Sequence, residues 1–237
     1  MEKLQPSGRL LEVIEIFASV STEDLEALAK RFRWKRYWAD QQIISHLELS
    51  TDVYLVIEGA VRVTVYSPEG KEVTFRDIAA GEYFGELAAI DGFPRSATVT
   101  ALTESLVACM SAKTFWEILR IHPEVAALVI KRLSSSIRAL TERVYEFSAL
   151  AVRNRVHAEL LRLARHNMAD DNAAIIRPAP THAELASRIS THREAVTREI
   201  SDLTRKGLVE RQAGALVIHD VDQLFRLVHN VGGHQGG

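Results

Sequence analysis

The sequence predicts an α+β chain: an antiparallel β-roll of the jelly-roll kind, then one long helix, then a compact domain with two capped helices and a hairpin. Three patterns point to it. Short pieces between Val53 and Met110 read as strands, several alternating apolar with polar residues; apolar residues recur at spacings of 3, 4, 3, 4, 3 from Ile130 to Phe147; and helix-start signals fall at Thr181 and Thr191. The 237 residues are 47% hydrophobic and 25% charged with 12 Gly and 6 Pro, which excludes disordered, collagenous and low-complexity classes. No apolar run approaches the ~18 residues of a membrane span. The start, Met1-Glu-Lys-Leu-Gln-Pro6, lacks the basic and apolar regions of an export signal. A single cysteine, Cys109, permits neither an internal disulfide nor a multi-cysteine metal or iron–sulfur site. A cytoplasmic protein with no membrane partner is expected. Lys+Arg against Asp+Glu is 17 to 21 over residues 1–150 and 12 to 10 over residues 151–237, an asymmetry too mild to assign a partner.

Taken in order, Leu10 to Ala29 reads as a helical lead-in, with Ser21 capping Thr22-Glu-Asp24. Strands follow at Val53–Ile57, Ala60–Tyr66, Glu72–Ile78, Ser96–Leu102 and Leu106–Met110, broken at Glu58-Gly59 and Ser67-Pro-Glu-Gly70. Pro123 to Phe147 is one helix, ~37 Å long at 1.5 Å per residue. Its seam of Ile130, Leu133, Ile137, Leu140, Val144 and Phe147 needs a cover, either the roll or, given charged outward faces, the same helix of a second copy. The expected domains are 1–122, 123–150 and 151–237. In the last, Arg153–Arg165 is an amphipathic helix, Asp170 to Pro180 a loop with a short extended piece at Ala174–Ile176, and Gly232–Gly237 a tail.

The densest constellation is Gly81-Glu-Tyr-Phe-Gly-Glu-Leu-Ala-Ala-Ile-Asp-Gly-Phe-Pro-Arg-Ser-Ala-Thr-Val99. Its glycines allow close backbone approach, and a short helix from Glu86 would leave free N–H groups near Gly85 for an anion. Arg95 offers a charged fork for a phosphate. Glu86 would repel that phosphate, so it makes sense as an acceptor from a neutral hydroxyl such as a ribose 2′-OH. On spacing alone, a Gly-x-x-Gly with a nearby Arg is a weak signal and more often a turn with a surface charge.

Phe84-Gly-Glu-Leu-Ala88 with Pro94-Arg-Ser-Ala-Thr-Val99 resembles the phosphate-binding cassette of cyclic-nucleotide-binding domains almost position for position. The resemblance implies that Glu86 binds the ribose 2′-OH, that Arg95 and Ser96 bind the cyclic phosphate, and that the backbone of Gly85, Leu87 and Ala88 adds donors. Counting on without gaps places Leu140 and Thr141 where bacterial cyclic-AMP receptor proteins approach the base. Leu140 already has a place in the apolar seam, which leaves Thr141. Ser96 is also compatible with a guanine amino group, so the resemblance implies cyclic AMP while leaving cyclic GMP open.

Thr181 followed by Glu184 forms a capping box that opens a helix, and Thr191-His-Arg-Glu194 repeats it to open a second helix through Lys206, stopped by Gly207. Val196, Ile200 and Leu203 share one face of the second helix, while Arg193, Glu194, Thr197 and Arg198 gather on the other. Arg suits guanine and Glu suits cytosine in a major groove. Leu208 to Ile218 reads as a hairpin, the wing of a winged helix-turn-helix. Thr-x-x-Glu-Leu-Ala, Arg193-Glu-x-Val-x-Arg198 and Leu203-x-x-x-Gly-Leu208 resemble the DNA-binding end of the cyclic-AMP receptor protein (CRP/FNR) family, and the likeness runs from about residue 10 to residue 225. It implies a homodimeric transcription regulator that answers to a cyclic nucleotide and binds a palindromic operator. Thr191, His192, Arg193, Glu194, Thr197 and Arg198 would face double-stranded DNA, and RNA polymerase would be a partner.

Two departures stand out. Ala151 replaces the Asp that caps the helix after the hinge in many members, which puts the fixing of the hinge in doubt. His46-Leu-Glu-Leu-Ser50 replaces the usual Gly-Asp turn, which puts that loop in doubt but not the pocket. The nine histidines contain no H-E-x-x-H pair, so no metal and no zinc hydrolysis is expected. Cys109 reads as buried and inert. The alternatives are a regulator of the same family tuned to a different effector, and a nucleotide-binding module or enzyme that does not act on DNA.

Overall fold

The computed structural model describes residues 6–66, 72–169 and 172–229. The expected turn at Ser67–Gly70, Asp170 and Asp171 of the expected loop, and the Gly232–Gly237 tail lie outside the described residues. The chain divides into two compact units, Met1–Arg138 and Ala139–Gly237, so the division falls inside the long helix.

In the first unit the lead-in is three short pieces and not one helix: α1 (Gly8–Leu11), a 3-10 turn at Glu15–Phe17 and α2 (Thr22–Ala29). The physical reason is that α1 packs on α2, with the Gly8 N–H donating to Glu26 Oε2 at 2.6 Å. The chain must therefore turn between them. Ser21 caps α2 as expected, accepting from the Asp24 N–H.

The roll consists of two four-stranded antiparallel sheets. One holds β1 (Arg33–Tyr37), β8 (Ser105–Met110), β3 (Val53–Glu58) and β6 (Tyr83–Phe84) in that order; the other holds β2 (Gln42–Ile44), β7 (Thr98–Ala101), β4 (Ala60–Tyr66) and β5 (Glu72–Ala79). Val56, Val61, Ile78, Phe84, Val99 and Val107 fill the space within the roll. On the outer face of the first sheet, Leu55, Ile57, Leu106, Ala108 and Met110 pack with residues of α1, α2, α4 (Ala112–Ile121) and the start of α5 (Pro123–Ala149). The central strands β3 and β8 are thus buried on both faces, which is why they read as continuous apolar runs while β4 alternates.

β1, β2, β6 and α4 were not anticipated. β1 reads Arg-Trp-Lys-Arg-Tyr and lies at a sheet edge, where charge is tolerated and the apolar pattern is erased. α4 did carry a local signal, since Ser111 accepts from the Thr114 N–H as its N-cap.

In the second unit, α6 (Val152–Arg165), α7 (His182–Arg188), α8 (Arg193–Arg205) and α9 (Val221–His229) surround one core with the sheet β10 (Val209–Gln212), β11 (Ala215–Ile218), β9 (Ala174–Ile176). The β10–β11 hairpin is the expected wing, and Gly207 ends α8 at φ 70°. Along α5, Val125 and Val129 belong to the core of the first unit and Leu133 packs against it. Ile130, Ile137, Leu140 and Val144 remain more than half exposed. Leu140 is therefore not a core residue of the single chain; its seam is uncovered.

Candidate functional site

α3 (Glu86–Asp91) starts at Gly85, whose φ of 84° disfavours any other residue. A Cβ there would also stand 2.8 Å from Arg95 Nη1 and 2.9 Å from the Asp52 carbonyl oxygen. The tight approach is what Arg95 needs. Its guanidinium, 2% exposed, donates from Nη1 to the Gly85 carbonyl (2.9 Å), from Nη2 to the Asp52 carbonyl (2.8 Å) and from Nε to Ser50 Oγ (2.9 Å). It also lies over the Tyr54 ring, itself stacked on Phe84. Every one of these partners is uncharged.

Glu86 is half-buried, and burial pushes its carboxyl above the ordinary carboxylate value against the pull of Arg76, Arg132 and Arg95. Two of those arginines were not singled out in the sequence. Arg132, on α5, pairs with Glu82 and lies over the Tyr83 ring. Arg76 reaches Glu82 at 3.4 Å from β5. Arg76 lies five residues before Gly81 and Arg132 33 residues after Val99, and no local motif marks them. Leu87 and Ser96 are exposed and Ala88 is buried. Thr141 is exposed on α5 and belongs to the second unit.

The loop at residues 46–50 is not separate from the pocket, as the sequence had implied. The Leu47 N–H donates to the Arg95 carbonyl and the Arg95 N–H to the Glu48 carbonyl, both at 2.9 Å, so the loop is part of the frame that holds Arg95. Cys109 is buried, which raises its thiol pKa, in accord with an inert role.

In the second unit, α7 has the expected capping box at Thr181 and Glu184. The second box does not form. His192 is the N-cap of α8 and makes no side-chain cap bond, while Thr191 is buried with its N–H donating to the Ala186 carbonyl. The tight turn through Ser190 (φ 50°) draws Thr191 inward, which removes it from the cap position. Val196, Ile200 and Leu203 are buried, and His192, Arg193, Glu194, Thr197 and Arg198 are exposed together. The Thr197 hydroxyl is engaged within the chain, donating to the Arg193 carbonyl (3.0 Å) with His182 Nδ1 2.8 Å away. Arg193, Glu194 and Arg198 form no salt bridge among the described residues.

The hinge has no side-chain cap: Ala151 precedes α6 without one. Buried charges take over. From the end of α5, Arg143 donates to the Arg188 carbonyl (2.6 Å) and to Glu159 (3.3 Å), and Glu146 accepts from Arg162 at 2.8 Å. Arg162 also binds Glu159, and Arg188 lies 3.7 Å from it. Glu159, 1% exposed, is the hub. Farther along, His157 of α6 meets Glu199 of α8 at 2.6 Å, and Arg153 pairs with Glu199 and Asp202. These contacts fix α6 between the end of α5 and the exposed helix α8.

A roll with a nucleotide-type cassette and a winged helix-turn-helix presenting a polar helix face define a ligand-responsive DNA-binding regulator. Residues 34–122 match the family described as Cyclic nucleotide-binding domain, and residues 154–227 the Crp-like helix-turn-helix domain. The chain belongs to the CRP/FNR family of transcription regulators. It is 26% identical over 220 residues to the cAMP-activated global transcriptional regulator CRP of Haemophilus influenzae, covering 90% of this chain and 98% of the relative. It is 23% identical over 212 residues to the CRP-like cAMP-activated global transcriptional regulator of Mycobacterium tuberculosis, covering 89% and 95%. A CooA mutant from Carboxydothermus hydrogenoformans shares the fold at a TM-score of 0.78 and 20% identity, covering 91% of this chain and 95% of that one. Among the described residues, no helix is long and apolar enough to cross a membrane.

Proposed function

We propose that this regulator is a cytoplasmic homodimer that binds cyclic AMP, with cyclic GMP as the competing nucleotide, and then a palindromic operator. One observation carries the ligand class: Arg95 is a buried, permanently charged group among neutral oxygens, with no salt bridge among the described residues, a setting that favours an anion. A cyclic phosphate on Arg95 and Ser96 leaves a free 2′-OH for Glu86. Backbone at Gly85, Leu87 and Ala88 completes the cradle, and Thr141 meets the base. No metal is required.

The uncovered seam of α5 supports a second copy of the chain as its cover. His192, Arg193, Glu194 and Arg198 read base edges or phosphates, with Thr197 and the buried Thr191 framing the start of the helix. Ligand would favour the arrangement in which two such helices stand one DNA turn apart, ~34 Å. Ligand and DNA then raise each other's affinity by the same factor. Contact with RNA polymerase completes the role.

The test is a titration of labelled palindromic DNA at fixed salt with the bare protein, with cyclic AMP and with cyclic GMP. Cyclic AMP should tighten binding most; equal affinity in all three arms would sink the reading. For the dimer, Ile137→Glu with Val144→Glu should turn the sedimentation pattern from dimer to monomer.

A further inference from the structure

The departure from the usual turn at residues 46–50 supplies a side-chain acceptor to Arg95. Backbone bonds run both ways between the loop and Arg95, through Leu47 and Glu48, and the Ser50 hydroxyl oxygen accepts the Arg95 Nε–H at 2.9 Å. Behind Ser50 stands Glu48. The nearby Ser50 hydroxyl and the Ser45 N–H, which donates at 3.2 Å, hold its carboxyl below the ordinary carboxylate value. The hydroxyl oxygen accepts from Arg95, which directs its own proton away from the guanidinium. Arg95 spends its Nε–H on Ser50 and one N–H of each terminal nitrogen on the Gly85 and Asp52 carbonyls. The second N–H of each terminal nitrogen is left.

We propose that Ser50 is a positioning residue of the phosphate site: by taking the Nε–H it fixes the rotation of the guanidinium and reserves the two terminal N–H groups for the ligand. This rests on the reading that Arg95 grips a cyclic phosphate. It differs from a structural brace in what it controls. A fixed fork distinguishes the two exocyclic oxygens of the phosphate, whereas a loose one does not.

The experiment measures binding of cyclic AMP and of its Rp and Sp phosphorothioate diastereomers to the full chain, by calorimetry, with circular dichroism as the check on folding. Ser50→Ala should weaken cyclic AMP about tenfold and bring the two diastereomers toward equal affinity, while Ser50→Thr should stay within about twofold of the parent. Ser50→Cys, which keeps the shape and removes a good acceptor, makes the same comparison if the alanine variant unfolds. Arg95→Leu separates the two ideas. If the parent and Arg95→Leu bind cyclic AMP alike, or neither binds, the cyclic-nucleotide reading itself fails. If Arg95→Leu loses binding but the folded Ser50 variants keep both the affinity and the diastereomer ratio of the parent, the role of Ser50 is overturned and the reading stands. Failure of a folded Ser50→Thr to bind like the parent also overturns it.

Discussion

Arg95 in the roll and Glu159 beside the hinge are both almost fully buried charges, yet their surroundings differ in kind. Around Arg95 the partners are two carbonyls and a hydroxyl. Around Glu159 they are the guanidinium groups of Arg143, Arg162 and Arg188, with Glu146 balancing Arg162. A buried charge solvated only by dipoles keeps an appetite for a counter-ion, whereas one already paired holds elements together and offers little to a ligand. The first arrangement suits a binding site and the second a joint. Fractional burial alone would not have told them apart.

Breaking the joint should have the largest effect. Glu159→Ala leaves three cations together without their hub, and should cost about 3–5 kcal/mol in urea unfolding of the second unit; a loss below about 1 kcal/mol would place Glu159 with ordinary surface pairs. Arg95→Leu should do the reverse. Its main effect should be on the ligand: it strands three acceptors and so costs some stability of the first unit, but it should weaken cyclic AMP by at least about 100-fold, read by calorimetry, since charge-assisted bonds to phosphate carry the affinity. Next in size, Arg193→Ala should lose about 1–3 kcal/mol on the preferred operator and much less on random DNA in anisotropy titrations. An equal loss on both would make Arg193 a phosphate contact.

The smallest change is with pH, at His157. Burial lowers its pKa below the ordinary 6.5 in spite of the nearby Glu199 carboxylate. The folded state therefore binds fewer protons than the unfolded one between those values. The contribution of His157 is fully present above pH 6.5 and is lost as pH falls through the depressed value. His157→Gln should flatten the stability profile in that acid range; an unchanged profile would assign the slope to other groups.

Much of the fold and of the site was legible, but the joint was not. The capping box at Thr181, the Ser21 cap, the wing, the long helix and the cassette glycines all announce themselves over a few residues, because caps, turns and apolar spacing are local physics. Glu86 and Arg95 were legible as a pair of types in a motif. The second capping box was legible and misleading: the sequence Thr191-x-x-Glu194 has the right types, but the turn at Ser190 takes Thr191 into the core. β1 was hidden because an edge strand needs no apolar alternation.

By itself the sequence determined the long helix, the central strands, the helix-turn-helix with its wing, the order of these parts, the family and the residue types at both ends. The partners of those residues were decided only by tertiary structure. Ser50 and Arg95 are 45 residues apart, Asp52 and Arg95 43, and Arg143 and the Arg188 carbonyl 45. Strand pairing and helix packing bring them together, and no spacing rule along the chain encodes such contacts. Whether a buried charge is left to solvating dipoles or matched to opposite charge is settled there, and with it which end of the molecule takes a ligand and which end holds.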